Sequence, residues 1–348
     1  MAPVWSYQPL KGLLTAYILG ISPLYFSLPS IYYIPKRLRP HPNWSIRTSL
    51  GRAFYYQLFK YATMIRLAPQ YAVKSNDLKD RFVMVKPSSS DLYTGILKHP
   101  IIKPSRKFVL YLPGGAYVFA TIPSKAGVFP STLFEKGMDA ITFFGQYRVA
   151  ATPETRFPAA IQDAVTFYLY LLDLGIPAKN IIVSGDSAGG HLVLALLRYI
   201  EDSKTLLPRP RGAISWSPWV NMTASAMLAY KKSPNNSTDL VPYTILEWGI
   251  EAYPPPSDES SSQVQAYLSP ALYPFATKTP LLLQAGSVEV FHADIRAFAQ
   301  DMAAMPGSRV KYHETADAPH DLSLCGGTLG LEKEAVDVIK VADGFFDT

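Results

Sequence analysis

The stretch IIVSGDSAGGHLVLALLRYI, residues 181–200, decides the fold class of this chain. Its first four residues are typical of a buried strand, and the residues after Ser187 are typical of a helix with an apolar face. Between them, residues 185–189 are GDSAG, which fits the pattern GxSxG. A serine at such a turn holds a strained backbone, and side chains at the two glycines would collide with the neighbouring strand and helix. The pattern predicts that Ser187 is a nucleophile beside the free N–H groups of a helix start.

Apolar runs and helical segments alternate through most of the chain. Strands are predicted at 108–112 (FVLYL), 140–144 (AITFF), 181–185 (IIVSG), 213–216 (AISW), 281–286 (LLLQAG) and 310–313 (VKYH), and helices at 158–174, 187–200, 293–304 and 332–346. Continuously apolar strands separated by helices indicate a mostly parallel central sheet covered by helices on both faces. Two earlier runs, 82–85 and 93–97, predict an antiparallel pair at the sheet edge.

Two segments fall outside this alternation. Residues 217–272 are rich in Pro, Ser and Asn and include a helical piece at 243–252, which predicts a helical cap inserted above the sheet. Before the first strands, apolar residues at spacings of three and four predict a helix over 45–67. We therefore divide the chain into an N-terminal segment (1–75), an α/β core (76–216 and 273–348) and a cap (217–272).

The uncharged run from Gly12 to Ile34 allows two interpretations. It is long enough to cross a bilayer, which takes about 20 apolar residues, and the basic cluster at 36–39 would then hold the rest of the chain in the cytosol. Prolines at 23 and 29 would kink a spanning helix, and a flap of short helices over the substrate has the same pattern. The expected localisation is therefore either membrane association through residues 12–34, with a cytosolic catalytic domain, or the cytoplasm.

The charge and cysteine content exclude some functions. The formal charge is +6, but the basic residues form no dense stripe interleaved with aromatic residues, so we expect no nucleic acid partner. The single cysteine, Cys325, cannot form an intramolecular disulfide and is expected to be a buried thiol. The chemistry expected of Ser187 needs no metal ion and no organic cofactor.

A serine nucleophile needs a base and a polarising site for the oxyanion. Of the six histidines, His320 follows the last predicted strand, where a doubly wound hydrolase brings its base to the serine. The loop PGGA, residues 113–116, directly follows the strand 108–112, and its small residues allow backbone N–H groups to face a ligand. A plain Gly-Gly turn is the alternative interpretation of this loop.

Two carboxylates compete for the role of triad acid, which should follow the strand 281–286 and precede His320. Glu289 lies in the loop just past that strand, from which its side chain can reach the histidine. Asp294 begins the next predicted helix, where a first-turn acid complements the helix dipole. Asp317 is too close to His320 along the chain to orient its ring. Loop position favours Glu289.

These motifs resemble the α/β-hydrolases of the hormone-sensitive lipase type, which are carboxylic ester hydrolases. The N-terminal stretch YYIPKRLRPHPNWS (32–45) is similar to fungal members of that family. GDSAGG (185–190) is similar to the family's nucleophile motif, LPGGAY (112–117) to its oxyanion loop, residues 147–164 to its YRLAPE–FPAA–D segment, and SPWVNMT (217–223) to the start of its cap. The resemblance implies a triad of Ser187, His320 and Glu289. It also implies oxyanion donors at Gly115, Ala116 and Ala188, with Gly114 shaping the loop. Pro113 and Asn221 depart from the family's histidine and aspartate.

The leading hypothesis is a serine hydrolase that cleaves a small or medium apolar carboxylic ester through an acyl-enzyme. A biosynthetic acyl-transferase or tailoring enzyme with the same triad is one alternative. A ligand-binding protein that keeps the pocket without the chemistry is another, although a binding protein has no need of His320 beside Ser187. The oligomeric state is left open by the sequence.

Overall fold

The computed structural model describes residues 2–67, 85, 106–119, 128–202, 207–255 and 261–348. The antiparallel pair predicted at 82–85 and 93–97 lies outside these residues, apart from Val85. The end of the N-terminal segment, 68–75, lies outside them as well.

The described strands form one parallel sheet. They are β1 (Lys107–Leu112), β2 (Ala140–Phe144), β3 (Ile181–Asp186), β4 (Gly212–Trp216), β5 (Leu281–Gly286) and β6 (Val310–Thr315), in the order β2-β1-β3-β4-β5-β6. All five neighbouring pairs run parallel. The six strands predicted between residues 108 and 313 are confirmed, and β1, which precedes the PGGA loop, lies next to β3, which precedes Ser187.

Helices cover both faces of the sheet. Those of eight residues or more in the described part are α1 (Leu10–Tyr32), α2 (Ile46–Met64), α3 (Val128–Met138), α4 (Ala159–Asp173), α5 (Ala188–Asp202), α6 (Ala224–Lys231), α7 (Tyr243–Ala252), α9 (His292–Ala304), α10 (Leu322–Leu329) and α11 (Glu332–Phe346); a shorter helix, α8, spans Ser262–Leu268. Side chains of α4, α5 and α9 belong to one core, and those of α3 and α11 to the other. Helices α3 and α10 were absent from the sequence prediction.

Strand β1 illustrates how the sequence builds both cores at once. Leu110 and Leu112 point into the core with α4 and α5, whereas Val109 and Tyr111 point into the core with α3 and α11. Successive strand residues alternate between faces, so a sheet covered twice needs apolar residues at every position. This explains why the strands lack a polar alternation.

The segment between β4 and β5 carries the helices α6, α7 and α8. The helix predicted at 243–252 coincides with α7. Trp219, at the start of this segment, is fully buried. The segment contributes to the same core as α4 and α5.

The N-terminal residues form two helices joined by a turn. Helix α2 packs against α10 and α7, while α1 packs against α2. None of the helices in the described residues combines the length and the hydropathy that crossing a bilayer requires. This finding goes against the spanning interpretation of residues 12–34.

Candidate active site

Ser187 occupies a turn so tight that both flanking glycines are required. Its backbone is left-handed, with φ of 53°, between β3 and α5. A Cβ on Gly185 would lie 2.5 Å from the carbonyl oxygen of Leu112, and one on Gly189 only 2.0 Å from the same atom. The Ser187 N–H donates to the carbonyl of Trp216, at 2.8 Å. Neighbouring strands on both sides therefore fix the turn.

The loop after β1 lies directly against this turn. The Gly114 N–H donates to Oδ2 of Asp186, at 3.0 Å. Gly115 has φ of 117°, and a Cβ there would lie 1.4 Å from the carbonyl oxygen of Phe119, so no other residue fits. Because the N–H of Gly114 is already bonded, the N–H groups of Gly115 and Ala116 remain as candidate oxyanion donors. Ala188 begins helix α5, so its N–H has no acceptor within the helix.

Pro113 has a structural partner of its own. Its carbonyl accepts a hydrogen bond from the Tyr147 hydroxyl at 2.6 Å, and the Ala150 N–H donates to the carbonyl of Tyr117 at 2.8 Å. Residues 147–150 thus hold the loop at two points through groups that do not need a histidine at 113. The other departure from the family pattern, Asn221, accepts from the N–H and hydroxyl of Thr223 near the start of α6.

Tyr117, at the end of the same loop, belongs to a buried aromatic cluster. The Tyr117 ring stacks on that of Tyr253 at 3.6 Å between centroids, and the Tyr117 hydroxyl lies 2.5 Å from Nδ1 of His191. Burial lowers the pKa of His191 to about 4, so this imidazole is neutral at physiological pH. This role of His191 could not be predicted from the sequence, since a histidine inside an apolar helix carries no signal of its partner.

The structure brings His320 and Glu289 together. Nδ1 of His320 lies 3.3 Å from Oε2 of Glu289, a distance typical of an ion pair, although among the described residues neither this nitrogen nor the two Glu289 carboxylate oxygens meet hydrogen-bond geometry with any partner. His320 is 3% exposed and Glu289 is fully buried. Burial disfavours the imidazolium, but the carboxylates of Glu289, Asp239 and Asp321 outweigh it and raise the pKa of His320 to about 9. Burial raises the pKa of Glu289, while His320 acts in the opposite direction.

Ser187 and His320 lie at the same edge of the sheet. The Trp219 N–H donates to the carbonyl of Ser187 at 3.2 Å, the Trp219 ring stacks on Phe291, and the Phe291 ring meets His320 edge to face at 5.3 Å. Within the described part of the chain, no hydrogen bond joins the Ser187 hydroxyl to His320. Catalytic hydrogen bonds are often long or misaligned without substrate.

The competing carboxylates are engaged elsewhere. Asp294 lies in the first turn of α9 and accepts from the hydroxyl of Tyr230 at 2.5 Å. Asp317 accepts from the side chain of Asn43 and, through its carbonyl, from the indole N–H of Trp44 at 2.6 Å. Asp294 therefore links α9 to α6, and Asp317 links the His320 loop to the N-terminal segment.

Another buried carboxylate near His320, that of Asp239, was not found from the sequence. Its Oδ2 accepts from the N–H of Val290 at 2.6 Å, and its Oδ1 accepts from Leu240 at 2.6 Å and Val241 at 3.2 Å. Burial raises the pKa of Asp239, and these N–H groups and His320 lower it. The residues around it, PNNSTD, indicate only a turn, and no pattern in them points to a contact some fifty positions away.

The turn that contains Asp239 is hydrogen-bonded to the backbone around Glu289. The side chain of Asn235 donates to the carbonyl of Glu289 at 2.9 Å, and the Thr238 hydroxyl donates to that of Val288 at 2.8 Å. On its other side, the Arg52 guanidinium of α2 donates to the carbonyls of Asp239 at 2.8 Å and Asn236 at 2.9 Å. The loop that contains Glu289 is thus held by the segment predicted as a cap, which is itself held by the N-terminal region.

The groups around this edge do not form a metal site. Among the described residues, no cluster of His, Cys, Asp and Glu has the arrangement needed to hold a metal ion. Cys325 is a buried free thiol, as expected.

Comparisons with known proteins agree with this geometry. Residues 109–324 match a family described as having the alpha/beta hydrolase fold. The chain is 32% identical over 222 residues to an acetyl-hydrolase of Streptomyces hygroscopicus, covering 63% of this chain and 70% of that protein. It superposes on the crystal structure of an esterase/lipase from an uncultured bacterium with a TM-score of 0.60 and 27% identity, covering 70% of this chain and 78% of the other. A bacterial esterase of the hormone-sensitive lipase family gives a TM-score of 0.59 with 26% identity, covering 69% and 77%.

Proposed function

The chain belongs to the α/β-hydrolase fold family, as a hormone-sensitive lipase-like carboxylic ester hydrolase, and we propose that it cleaves small or medium apolar esters through a covalent acyl-enzyme. Ser187 is the nucleophile, His320 the general base and Glu289 the acid that orients the base. The observation that carries the proposal is the buried His320–Glu289 pair, because a base with its charge partner is what a serine at a nucleophile elbow needs.

In the first half of the reaction, Nε2 of His320 takes the proton of the Ser187 hydroxyl as the oxygen attacks the ester carbonyl carbon. Glu289, 3.3 Å from the ring on its Nδ1 side, stabilises the imidazolium that forms. The carbonyl oxygen becomes an oxyanion, which accepts hydrogen bonds from the N–H groups of Gly115, Ala116 and Ala188. The bond to the alkoxy group then breaks, and His320 donates its proton to the departing alcohol.

In the second half, water attacks the acyl-enzyme. His320 takes one proton of the water as its oxygen bonds to the acyl carbon, and the same donors stabilise the second oxyanion. The ester bond to Ser187 breaks, and His320 returns the proton to the serine. The products are a carboxylic acid and the free enzyme.

Glu289 needs a fixed position because its loop carries no helix or strand of its own. Asp239 is the residue that fixes it, by accepting the N–H of Val290 directly after Glu289, and Asn235 holds the carbonyl of Glu289 itself. Asp239 also adds negative charge near His320. It acts through its neighbours and does not touch the substrate, so it is a positioning residue.

An apolar ester is expected because buried aromatic rings lie beside the base. The Phe291 ring meets His320 edge to face, and the Trp219 ring stacks on Phe291. The relative from Streptomyces hygroscopicus is named an acetyl-hydrolase, which supports the small end of the proposed range.

The test is hydrolysis of p-nitrophenyl esters of graded acyl length by the purified full chain and by its Ser187→Ala variant. We expect turnover that is highest for short or medium acyl groups and absent in the variant. Matching rates for the two proteins would exclude Ser187 as nucleophile. A test with added alcohols separates hydrolysis from acyl transfer, since only a transferase converts most of the acyl group into a new ester.

A further inference from the structure

Helix α1 exposes an apolar stripe to solvent. Leu13, Tyr17, Leu28 and Ile31 are each 61–67% exposed. They are separated by 4, 11 and 3 positions, and with 3.6 residues per turn these separations put all four side chains on one side of the helix. An exposed row of large apolar side chains on a protein surface marks a binding site for another apolar surface.

The opposite side of α1 faces the rest of the protein. The hydroxyl of Tyr61, on α2, donates to that of Thr15 at 2.7 Å, and Thr15 lies about half a turn away from the stripe. Among the described side chains, α1 therefore contacts α2 at Thr15 and is exposed along the stripe, and Leu19, one turn after Thr15, is 68% exposed as well. This arrangement suits a helix that lies along a surface, with its axis parallel to it.

The charge of the N-terminal segment indicates the nature of that surface. Residues 1–75 contain nine Lys and Arg residues and no Asp or Glu, although the whole chain has a formal charge of only +6, which leaves −3 for residues 76–348. Lys36 and Arg37 are exposed in the short helix that follows α1. Arg39 donates to the carbonyls of Tyr33 and Trp44 and so fixes this basic turn relative to the end of the stripe.

We propose that the stripe on α1 and the basic turn at residues 36–39 form a docking surface for an anionic lipid bilayer. The apolar side chains enter the boundary between headgroups and acyl chains, and the basic side chains contact the lipid phosphates and carboxylates. A second copy of the chain is a poorer occupant, because a symmetric contact through α1 would bring two wholly basic segments together.

The proposal is tested by flotation of the purified full chain with vesicles of phosphatidylcholine, with and without phosphatidylserine. We expect the chain to float with the vesicles that contain phosphatidylserine, less with phosphatidylcholine alone, and less again at high salt. Leu28→Glu should lower the vesicle-bound fraction by about tenfold, since it removes an exposed apolar side chain that would enter the bilayer and adds a negative charge. Lys36→Glu combined with Arg37→Glu should remove the preference for phosphatidylserine.

Leu228→Glu is the matched control, because Leu228 is 58% exposed on α6 and the change of charge is the same. All variants should keep their activity on a soluble ester, which shows that they are folded. The proposal is overturned if the unaltered chain stays with the unbound protein in every vesicle preparation, or if Leu28→Glu floats as well as Leu228→Glu. A dimer in sedimentation that Leu28→Glu dissociates, without flotation of either protein, would assign the stripe to self-association instead.

Discussion

Replacing Glu289 by glutamine removes the charge that stabilises the imidazolium but keeps the size of the side chain. Glu289 makes the largest contribution among the groups that raise the pKa of His320 to about 9 from an ordinary 6.5, and burial alone would lower it. Its loss should therefore bring the pKa of His320 back to about 6.5 or lower. A change of two to three units corresponds to about 3 kcal/mol of imidazolium stabilisation. If the transition state feels the same loss, kcat falls by roughly two to three orders of magnitude.

The sign of the pH effect follows from which form of His320 is active. Only the neutral imidazole accepts the serine proton, so kcat/KM of the unaltered enzyme should rise with pH up to about 9, the pKa of His320. In Glu289→Gln the rise should occur at a pH about two units lower, while the plateau is far lower. The assay is p-nitrophenyl ester hydrolysis across this pH range, with the rate of Ser187→Ala subtracted as background.

Asp294→Asn is the matched control, because it makes the same chemical change five residues further on, at a carboxylate bonded to Tyr230. It should leave both the plateau and the position of the rise unchanged to within a few-fold. The assignment is refuted if Glu289→Gln keeps near-normal turnover with an unmoved pH profile, and Asp294 becomes the acid if its variant loses turnover in a folded protein.

Three further substitutions test the supports of the site. Asp239→Asn should lower kcat/KM about tenfold, because Asp239 positions the loop that contains Glu289. It should also move the rise of the pH profile to lower pH, by less than Glu289→Gln does, because the Asp239 carboxylate raises the pKa of His320. A loss of activity with an unmoved pH profile would leave Asp239 only a structural role. Gly115→Ala should reduce kcat by about a hundredfold or more, since the added Cβ would lie 1.4 Å from the carbonyl oxygen of Phe119. Gly344→Ala is the control and should keep its activity, because no atom lies within 4 Å of a Cβ there. Equal activities of the two variants would exclude the loop at Gly115 as the oxyanion hole. Burial lowers the pKa of His191 to about 4, below its value in the unfolded chain. The free energy of unfolding should therefore fall by up to about 3 kcal/mol as the pH drops from 6.5 towards 4, and urea unfolding of His191→Gln at the two pH values should lack this component. Identical pH dependence of the two proteins would contradict the buried neutral imidazole.

Local sequence was sufficient to predict the parts of the site that are built by one strand and the turn after it. The elbow at Ser187 is constrained by the carbonyl of Leu112 in β1, and the loop at Gly115 by the carbonyl of Phe119. Both turns have positive φ angles, and only glycine or a strained residue meets such constraints. The strands were predicted because a doubly covered sheet requires unbroken apolar runs. These signals depend on residues close together in the chain.

The hydrogen bonds that hold the loop of Glu289 in place could not be predicted, because they join segments that are distant in the sequence. Arg52 on α2, the turn at 235–239 and the loop of Glu289 come together only when the N-terminal region and the segment 217–272 pack on the core. Helix α10 was missed because LSLCGGTL contains two adjacent glycines, which disfavour a helix; a Cβ on the second glycine would lie 2.7 Å from the Phe129 ring, so packing against α3 overrides the propensity.

The measurement that tests the central claim most directly is covalent labelling with a fluorophosphonate, followed by intact-mass and peptide mass spectrometry. We expect one adduct per chain, on the peptide that contains Ser187, because the probe reacts with a serine that is activated by a base and held beside an oxyanion hole. Ser187→Ala should take up no label, and Glu289→Gln should label much more slowly than the unaltered chain. Equal labelling of the Ser187→Ala protein, or no labelling of the folded unaltered chain, would contradict the account.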